Sequence, residues 1–340
     1  MTSRDAPLTD VRGQQDSEQT TGFIKPPFGY FGAKQRLAKR IIEMLPPHNA
    51  WVEICCGSAV VTLNKPRAPL EVINDLNGDV VNLFRVLRDK PDRLCEVIAL
   101  TPYAREEFIN ARKSLQTNDR IERARRFLIA SMMTVNGTSG SVHNSGFSFS
   151  DSYVRGGREA RVNRWYQLPE RLSAIIERLR SIRIENKDAI EVVKQYADRP
   201  GTLMYLDPPY LMDREHVYAT DANDEEYHEK LLQACLESSA MLMISGYTNP
   251  LYRKHLMKKD GWSKSTITTK TRGTNGNDGE RTEVLWVNEA FTKAKKANAV
   301  PVKLTKVEAD EVKLNPLRPR KRKPAIVNKS KAAVRGKKRA

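Results

Sequence analysis

The run Leu203-Met204-Tyr205-Leu206-Asp207-Pro208-Pro209-Tyr210 constrains this chain more than any other stretch. Its four apolar residues predict a buried strand. The two prolines end that strand, because they lack the amide hydrogen and fix φ. Asp207 therefore stands at the carboxyl end of a sheet strand, where open α/β sheets bind their ligands. The stiff turn aims its carbonyls. A carboxylate beside an aimed carbonyl gives two acceptors for the two hydrogens of a planar amino group, and Tyr210 offers a face on which a flat base can stack. Read alone, the same residues are equally compatible with a strand-ending turn and a solvated aspartate.

Other stretches supply the remaining parts of a site. Pro26-Pro27-Phe28-Gly29-Tyr30-Phe31-Gly32-Ala33-Lys34 precedes a helix with apolar Leu37, Ile41, Ile42 and Leu45. A glycine-bearing turn before a helix can hold an anion, and Lys34 adds a direct charge. Residues 51–54 predict a strand, followed by Cys55-Cys56-Gly57-Ser58-Ala59, small residues that let a ligand approach the backbone. A second strand at 70–73 ends in Asn74-Asp75. An acid there, about 20 residues after a glycine turn, suits ribose hydroxyls. It also suits the cap of the helix expected at 76–88. Asp188 follows a short strand at 182–184. It reads either as a helix cap or as an acceptor for an adenine amino group.

Residues 91–135 have helical periodicity, and 136–164 read as a long loop of Gly, Ser, Asn and Arg with Phe147, Phe149 and Tyr153 interleaved. Small polar, basic and aromatic residues in one loop suit contact with nucleic acid. Further on, the pattern predicts a helix at 224–237, a strand at 241–245 and helical residues at 250–258. Strands at 263–269 and 283–287 follow, joined by a loop that carries Arg272 and Arg281.

Charge points the same way. The net charge is +17, and residues 293–340 hold +14 of it. Such a surplus implies a polyanionic partner. Cys55, Cys56, Cys95 and Cys235 have no zinc spacing and form no paired framework, so they read as reduced thiols in a cytoplasm. The five histidines are scattered, and no metal site is predicted. No apolar run reaches the roughly 20 residues of a membrane helix, and residues 1–22 lack the apolar core of a signal peptide.

Taken together, Tyr30-Phe31-Gly32-Ala33-Lys34, Glu53 through Gly57, Asn74-Asp75, Asn136-Gly137, Asp207 through Tyr210 and Arg281-Thr282-Glu283 resemble the Dam-type family of adenine-specific DNA methyltransferases, in a phage or prophage style. The likeness spans roughly residues 26–290. It implies an α/β fold: a seven-stranded Rossmann-like sheet that uses S-adenosyl-L-methionine, with a helical DNA-recognition insert. The expected division is an arm at 1–22, a catalytic domain at 23–90 and 166–292, the insert at 91–165 and an unstructured basic tail at 293–340. The resemblance implies cofactor contacts at Tyr30, Lys34, Gly57, Asp75, Asp188 and Asp207, and catalysis at Asp207, Pro208, Pro209 and Tyr210. Asn136, Arg155, Arg158, Arg272 and Arg281 are the candidate contacts to double-stranded DNA. A restriction endonuclease partner is left open.

The chain departs from that family at three points. Cys55 stands where an aromatic is frequent, Ala59 where a third glycine is frequent, and Tyr30 where tryptophan is common. Methylation of cytosine N4 needs the same amino-group geometry, but its enzymes more often carry Ser at the position of Asp207. An RNA or protein-glutamine methyltransferase more often begins the motif with Asn. A DNA-binding module without catalysis fits poorly with Lys34, Asp75 and an intact Asp-Pro-Pro-Tyr.

Overall fold

The computed structural model describes residues 22–30, 34–115, 117–135, 146–149, 154–155, 157–211, 224–272 and 278–302. For 154, 155, 269–272 and 278–281 it describes the backbone alone. Among these residues the order is α1 (Ala38–Met44), β1 (Ala50–Glu53), α2 (Val60–Asn64), β2 (Leu70–Asn74), α3 (Gly78–Asp89), α4 (Pro91–Leu100), α5 (Arg105–Lys113), α6 (Arg120–Met132), β3 (Val154–Arg155), β4 (Arg158–Glu159), α7 (Ala160–Tyr166), α8 (Leu168–Leu179), β5 (Ile182–Glu185), α9 (Ala189–Tyr196), β6 (Thr202–Leu206), α10 (Glu225–Leu236), β7 (Met241–Gly246), α11 (Pro250–His255), β8 (Ser263–Arg272), β9 (Asp278–Val287) and α12 (Glu289–Ala297).

Seven strands form one sheet in the order β5-β2-β1-β6-β7-β9-β8. The first five run parallel, and β9 joins β7 antiparallel, with β8 antiparallel to β9. The chain winds outward from β1 through β2 to β5, then returns to β6 on the other side of β1. β1 and β6 are thus the switch point, in register at Glu53 and Tyr205, and a crevice opens beyond their carboxyl ends.

Alternation along the central strands divides the core by face. Val52, Met204, Leu206, Leu242 and Ile244 pack with residues of α9, α10 and α11. Trp51, Leu203, Tyr205, Met241 and Met243 pack with residues of α1, α2 and α12. The helices of 91–135 share a third cluster with α3, α8 and Ile73 of β2. Both faces of the central strands are covered, which is why these strands read as continuous apolar runs.

Three expectations are corrected. The tail expected at 293–340 overlaps α12, which runs to Ala297 because Asn288 caps it by accepting from Phe291 N and because Phe291 and Ala294 are buried. The stretch 136–164 is not all loop: β3 pairs with β4 around Gly157 at φ 74°, and α7 begins at Ala160. Arg272 and Arg281, assigned to a loop, lie in strands, paired with Asp278 and Thr269 respectively. Cross-strand pairing has carried this hairpin past the apolar residues that announce it. The arm at 1–21 and residues 303–340 of the tail lie outside the described residues.

No helix among the described residues is long and apolar enough to cross a membrane. Nor do three or more His, Cys, Asp or Glu among them gather to hold a metal ion.

Candidate active site

Asp207 follows β6 directly, at the switch point. Its carboxylate is fully engaged within the protein. Oδ2 lies 2.7 Å from Lys34 Nζ, and Oδ1 accepts from Ser245 Oγ at 2.7 Å and from the Tyr210 hydroxyl at 3.0 Å. Ser245 reaches it because β7 pairs with β6 through Ile244 and Leu206, so the next residue on each strand lies side by side.

Lys34 is buried, and its ammonium also donates to Tyr210 Oη at 2.6 Å across 176 residues of sequence. Glu283, on β9, completes the cluster. Its Oε2 accepts from Tyr210 Oη at 2.8 Å, and its Oε1 stands 3.9 Å from Lys34 Nζ. Tyr210 thus divides one hydroxyl hydrogen between two carboxylates. Burial, then the charges of Asp207 and Glu283, holds its phenol well above the usual range, so it stays neutral.

The other half of the crevice is built on β1 and β2. The Gly57 amide donates to Asp75 Oδ2 at 2.7 Å, and Asn77 N donates to Oδ1 at 2.9 Å. Burial pushes the Asp75 carboxyl up to about 6 against those two bonds. Asn74 fastens three strand ends, donating to the carbonyls of Ile54 and Lys187 at 3.0 Å each and accepting from Lys187 N at 2.9 Å. Beneath the turn, Glu53 accepts from Thr62 N at 2.9 Å and from the Thr62 hydroxyl. Burial raises this carboxyl to about 7. Asp188 caps α9 through Ile190 N and also accepts from Tyr227 Oη at 2.9 Å. The helix after β2 is capped instead by Asn77.

The structure therefore joins Lys34, Asp207 and Tyr210 in one cluster, with Gly57 and Asp75 on the neighbouring strand ends and Tyr30 packed on Gly57. Tyr210 is only 8% exposed, with Tyr247 edge-on at 4.6 Å, so little of its ring is open for stacking in this conformation. Of the DNA candidates, Asn136 lies outside the described residues, and only the backbone of Arg155, Arg272 and Arg281 is described. Arg158 is exposed, its guanidinium 5.3 Å from the Tyr166 ring centre. Sequence reasoning gave no role to Ser245, Tyr247 or Glu283. The one available signal was Glu283's place in the Arg281-Thr282-Glu283 marker.

The turn after β1 has two left-handed residues, Gly57 at φ 47° and Ala59 at φ 52°. Ala59 shows why a glycine suits that place. A Cβ at Gly57 would sit 2.8 Å from the Tyr30 ring. Gly57→Ala should therefore lower the unfolding free energy by about 1–3 kcal/mol. Ala59→Gly should stay within about 1 kcal/mol of wild type, since relieved strain offsets lost methyl burial and greater chain entropy. Urea melts of the two variants check the contrast.

This turn fits S-adenosyl-L-methionine. A glycine whose missing Cβ leaves room for an aromatic ring stands at the switch point, and carboxylates stand at the ends of β2 and β5. A relative found by sequence points the same way. A type II methyltransferase of Lactococcus lactis subsp. cremoris, M1.LlaDCHI, is 27% identical over 284 residues, covering 78% of this chain and 95% of the relative. Among solved structures, a precorrin 8W decarboxylase from Methanobacterium thermoautotrophicum matches with TM-score 0.34 and 10% identity over 78% of this chain and 96% of its own. The rRNA methyltransferase aviRa of Streptomyces viridochromogenes matches with TM-score 0.33 and 13% identity over 78% and 89%. The decisive likeness runs from the aromatic beside Gly57 to the outer hairpin: residues 30–269 match the family described as D12 class N6 adenine-specific DNA methyltransferase, and this chain belongs to it.

Proposed function

We propose that Asp207 and the Pro208 carbonyl receive the two amino hydrogens of an adenine turned out of a DNA duplex, with Lys34, Ser245, Tyr210 and Glu283 fixing the carboxylate for that task. The family's reaction is methylation of adenine N6 in DNA, with S-adenosyl-L-methionine as donor. One arrangement carries the assignment. The Asp207 carboxylate at the end of β6 is bound to Lys34 at 2.7 Å, and the neighbouring ends of β1 and β2 lead into Gly57 and Asp75, which are bonded to each other at 2.7 Å.

The amino nitrogen of adenine is a weak nucleophile because its lone pair is delocalised into the ring. Two fixed acceptors favour a pyramidal nitrogen with a localised pair, and they stabilise the positive charge that grows on it. Holding nitrogen and methyl within near-attack range lowers the barrier further. When bound, the cofactor supplies a methyl group made electrophilic by its sulfonium. Tyr30, Lys34, Gly57, Asp75, Asp188 and Asp207 are the residues that would hold it. In duplex DNA the amino group is paired, so the base must leave the stack. Tyr210 then has to turn from its present bonds to lie against it. The free thiols and the DNA substrate fit a cytoplasmic enzyme.

Nucleoside mass spectrometry of DNA incubated with the protein and S-adenosyl-L-methionine is the test. N6-methyladenine is expected in wild-type reactions and none in those of Asp207→Ala. N4-methylcytosine, or unmodified DNA, would overturn the reading.

A further inference from the structure

The arginines of the helical region fall into two sets. Those on α6 are neutralised: Arg123 by Asp79, Arg125 by Glu107 and Glu122, and Arg126 by Glu122. On α8, Arg178 is likewise held by Glu71, but Arg161 and Arg164 of α7 and Arg171 of α8 are not neutralised in this way. Among the described residues Arg161, Arg164 and Arg171 have no carboxylate partner. Burial, and after it the charge of Arg161, pulls Arg164 below its usual range. Burial and Arg164 do the same to Arg171. Arg171 gives one bond to the Pro26 carbonyl at 3.2 Å, while its buried Nε finds no partner among the described residues. With no ion pair to a carboxylate among the described residues, the mutual repulsion of these cations raises the energy of the folded chain. An anion that binds there removes the cost.

Aromatic groups adjoin the same surface. Tyr103 feels the charges of Arg161, Arg164 and Glu159. Its hydroxyl donates to Ser148 O at 2.6 Å, and its ring lies 5.2 Å from Phe147. Arg105 stacks over Phe147 at 4.9 Å and over Phe149 at 5.7 Å. Phe149 is 58% exposed, and it is held out rather than loose. Thr134 bridges Phe147, and Ser148 N donates to Met133 O at 2.8 Å. Arg171 ties this face to the crevice, since Pro26 leads to Phe28, which packs edge-on against Tyr30 at 5.8 Å.

We propose that Arg161, Arg164 and Arg171 hold backbone phosphates of the DNA beside the extruded adenine, with Arg105 and Phe149 packing on an adjoining sugar or base. Phosphates supply the missing negative charge, and stacked aromatic and guanidinium groups suit the nucleoside between them. The proposal rests on the DNA-methylating reading above and names where that substrate is gripped.

The experiment compares wild type with Arg161→Gln/Arg164→Gln and with Arg171→Gln, by fluorescence anisotropy on an adenine-containing duplex at several salt concentrations. Each lost phosphate contact should flatten the plot of log K against log[salt] by about 0.9, so by roughly 2 for the double variant. KM for DNA should rise with kcat at saturating DNA unchanged, and S-adenosyl-L-methionine should bind calorimetrically as in wild type. Thermal stability should hold or increase, because repulsion is removed, and Arg164→Lys should restore the slope. Unchanged slopes, or a lower melting temperature with the slope intact, would make these arginines structural and end the proposal. A wild-type protein that binds duplex with this slope but methylates no adenine would sink the catalytic assignment alone.

Discussion

Purified Asp207→Ala is expected to lose methyl transfer by roughly 10²–10³-fold or more, the scale for removing one preorganised charge-stabilising group. The carboxylate carries the largest share of the assigned chemistry, since the Pro208 carbonyl alone leaves one amino hydrogen without a fixed acceptor. Asp207→Asn is the sharper companion, because it keeps shape and volume but exchanges one acceptor for an N–H₂ that opposes the incoming amine. Both should fold. Asp207 is partly exposed, and Lys34 retains Tyr210 and Glu283 as neighbours. Single-turnover rates at saturating DNA, with circular dichroism and cofactor affinity as controls, decide the matter. A variant that folds, binds cofactor and turns over at the wild-type rate removes Asp207 from the mechanism.

The second large effect lies at the opposite end of β2. Glu71 is buried between two cations. Its Oε1 accepts from Lys65 Nζ and from an Arg178 nitrogen at 2.8 Å each, and its Oε2 takes a second, close bond from Arg178. Lys65 also stands 5.2 Å from the Trp51 ring centre. Glu71→Gln leaves both cations buried without a counter-charge, at a cost of about 3–5 kcal/mol, against total stabilities of roughly 5–15 kcal/mol for folded domains. The urea midpoint should fall steeply. Replacing all three residues with apolar ones should restore most of the loss, since neither desolvated ion then remains.

The pH dependence has a definite sign. Burial raises the Glu71 carboxyl, but the bonds from Arg178 and Lys65 outweigh it and leave it below its usual 4.5. Its folded pKa is therefore depressed, so its contribution is fully present above the unfolded value of 4.5 and is lost as pH falls through the lower folded value. Urea midpoints measured from neutral to acid pH should show the loss in wild type and not in the all-apolar triple variant.

Much of the sheet was legible because its central strands are buried on both faces and so appear as unbroken apolar runs ending in turn residues. Asp207 was readable for the same reason: an apolar run ends at two prolines, and strand ends are where such sheets bind. Lys34 and Tyr210 were named with it through the family resemblance, but the bonds that join them, and the parts of Ser245 and Glu283, were not readable. Lys34 meets Tyr210 only because β6 returns to the side of β1, a fact of topology that no local pattern carries. Glu283 joins them through the antiparallel register of β9 on β7, where Gly246 faces Val284. A slip of one residue would turn the carboxylate to the other face. The Lys65, Glu71 and Arg178 group was invisible for a different reason. Charged residues near a strand's start read as solvated, and their burial comes from α8 folding back across the sheet.

The occupied state of the Asp207 carboxylate has a consequence for selectivity. On the assignment proposed above, the Lys34 ammonium, 2.7 Å from Asp207 Oδ2, competes with an incoming amine for that oxygen. A newcomer does not meet a bare anion that welcomes any cation or donor; it must displace a resident. Weak visitors fail at that threshold. A base that brings stacking contact as well as two well-placed hydrogens can exchange one set of bonds for another, so the cluster acts as a doorman as well as a chemical tool.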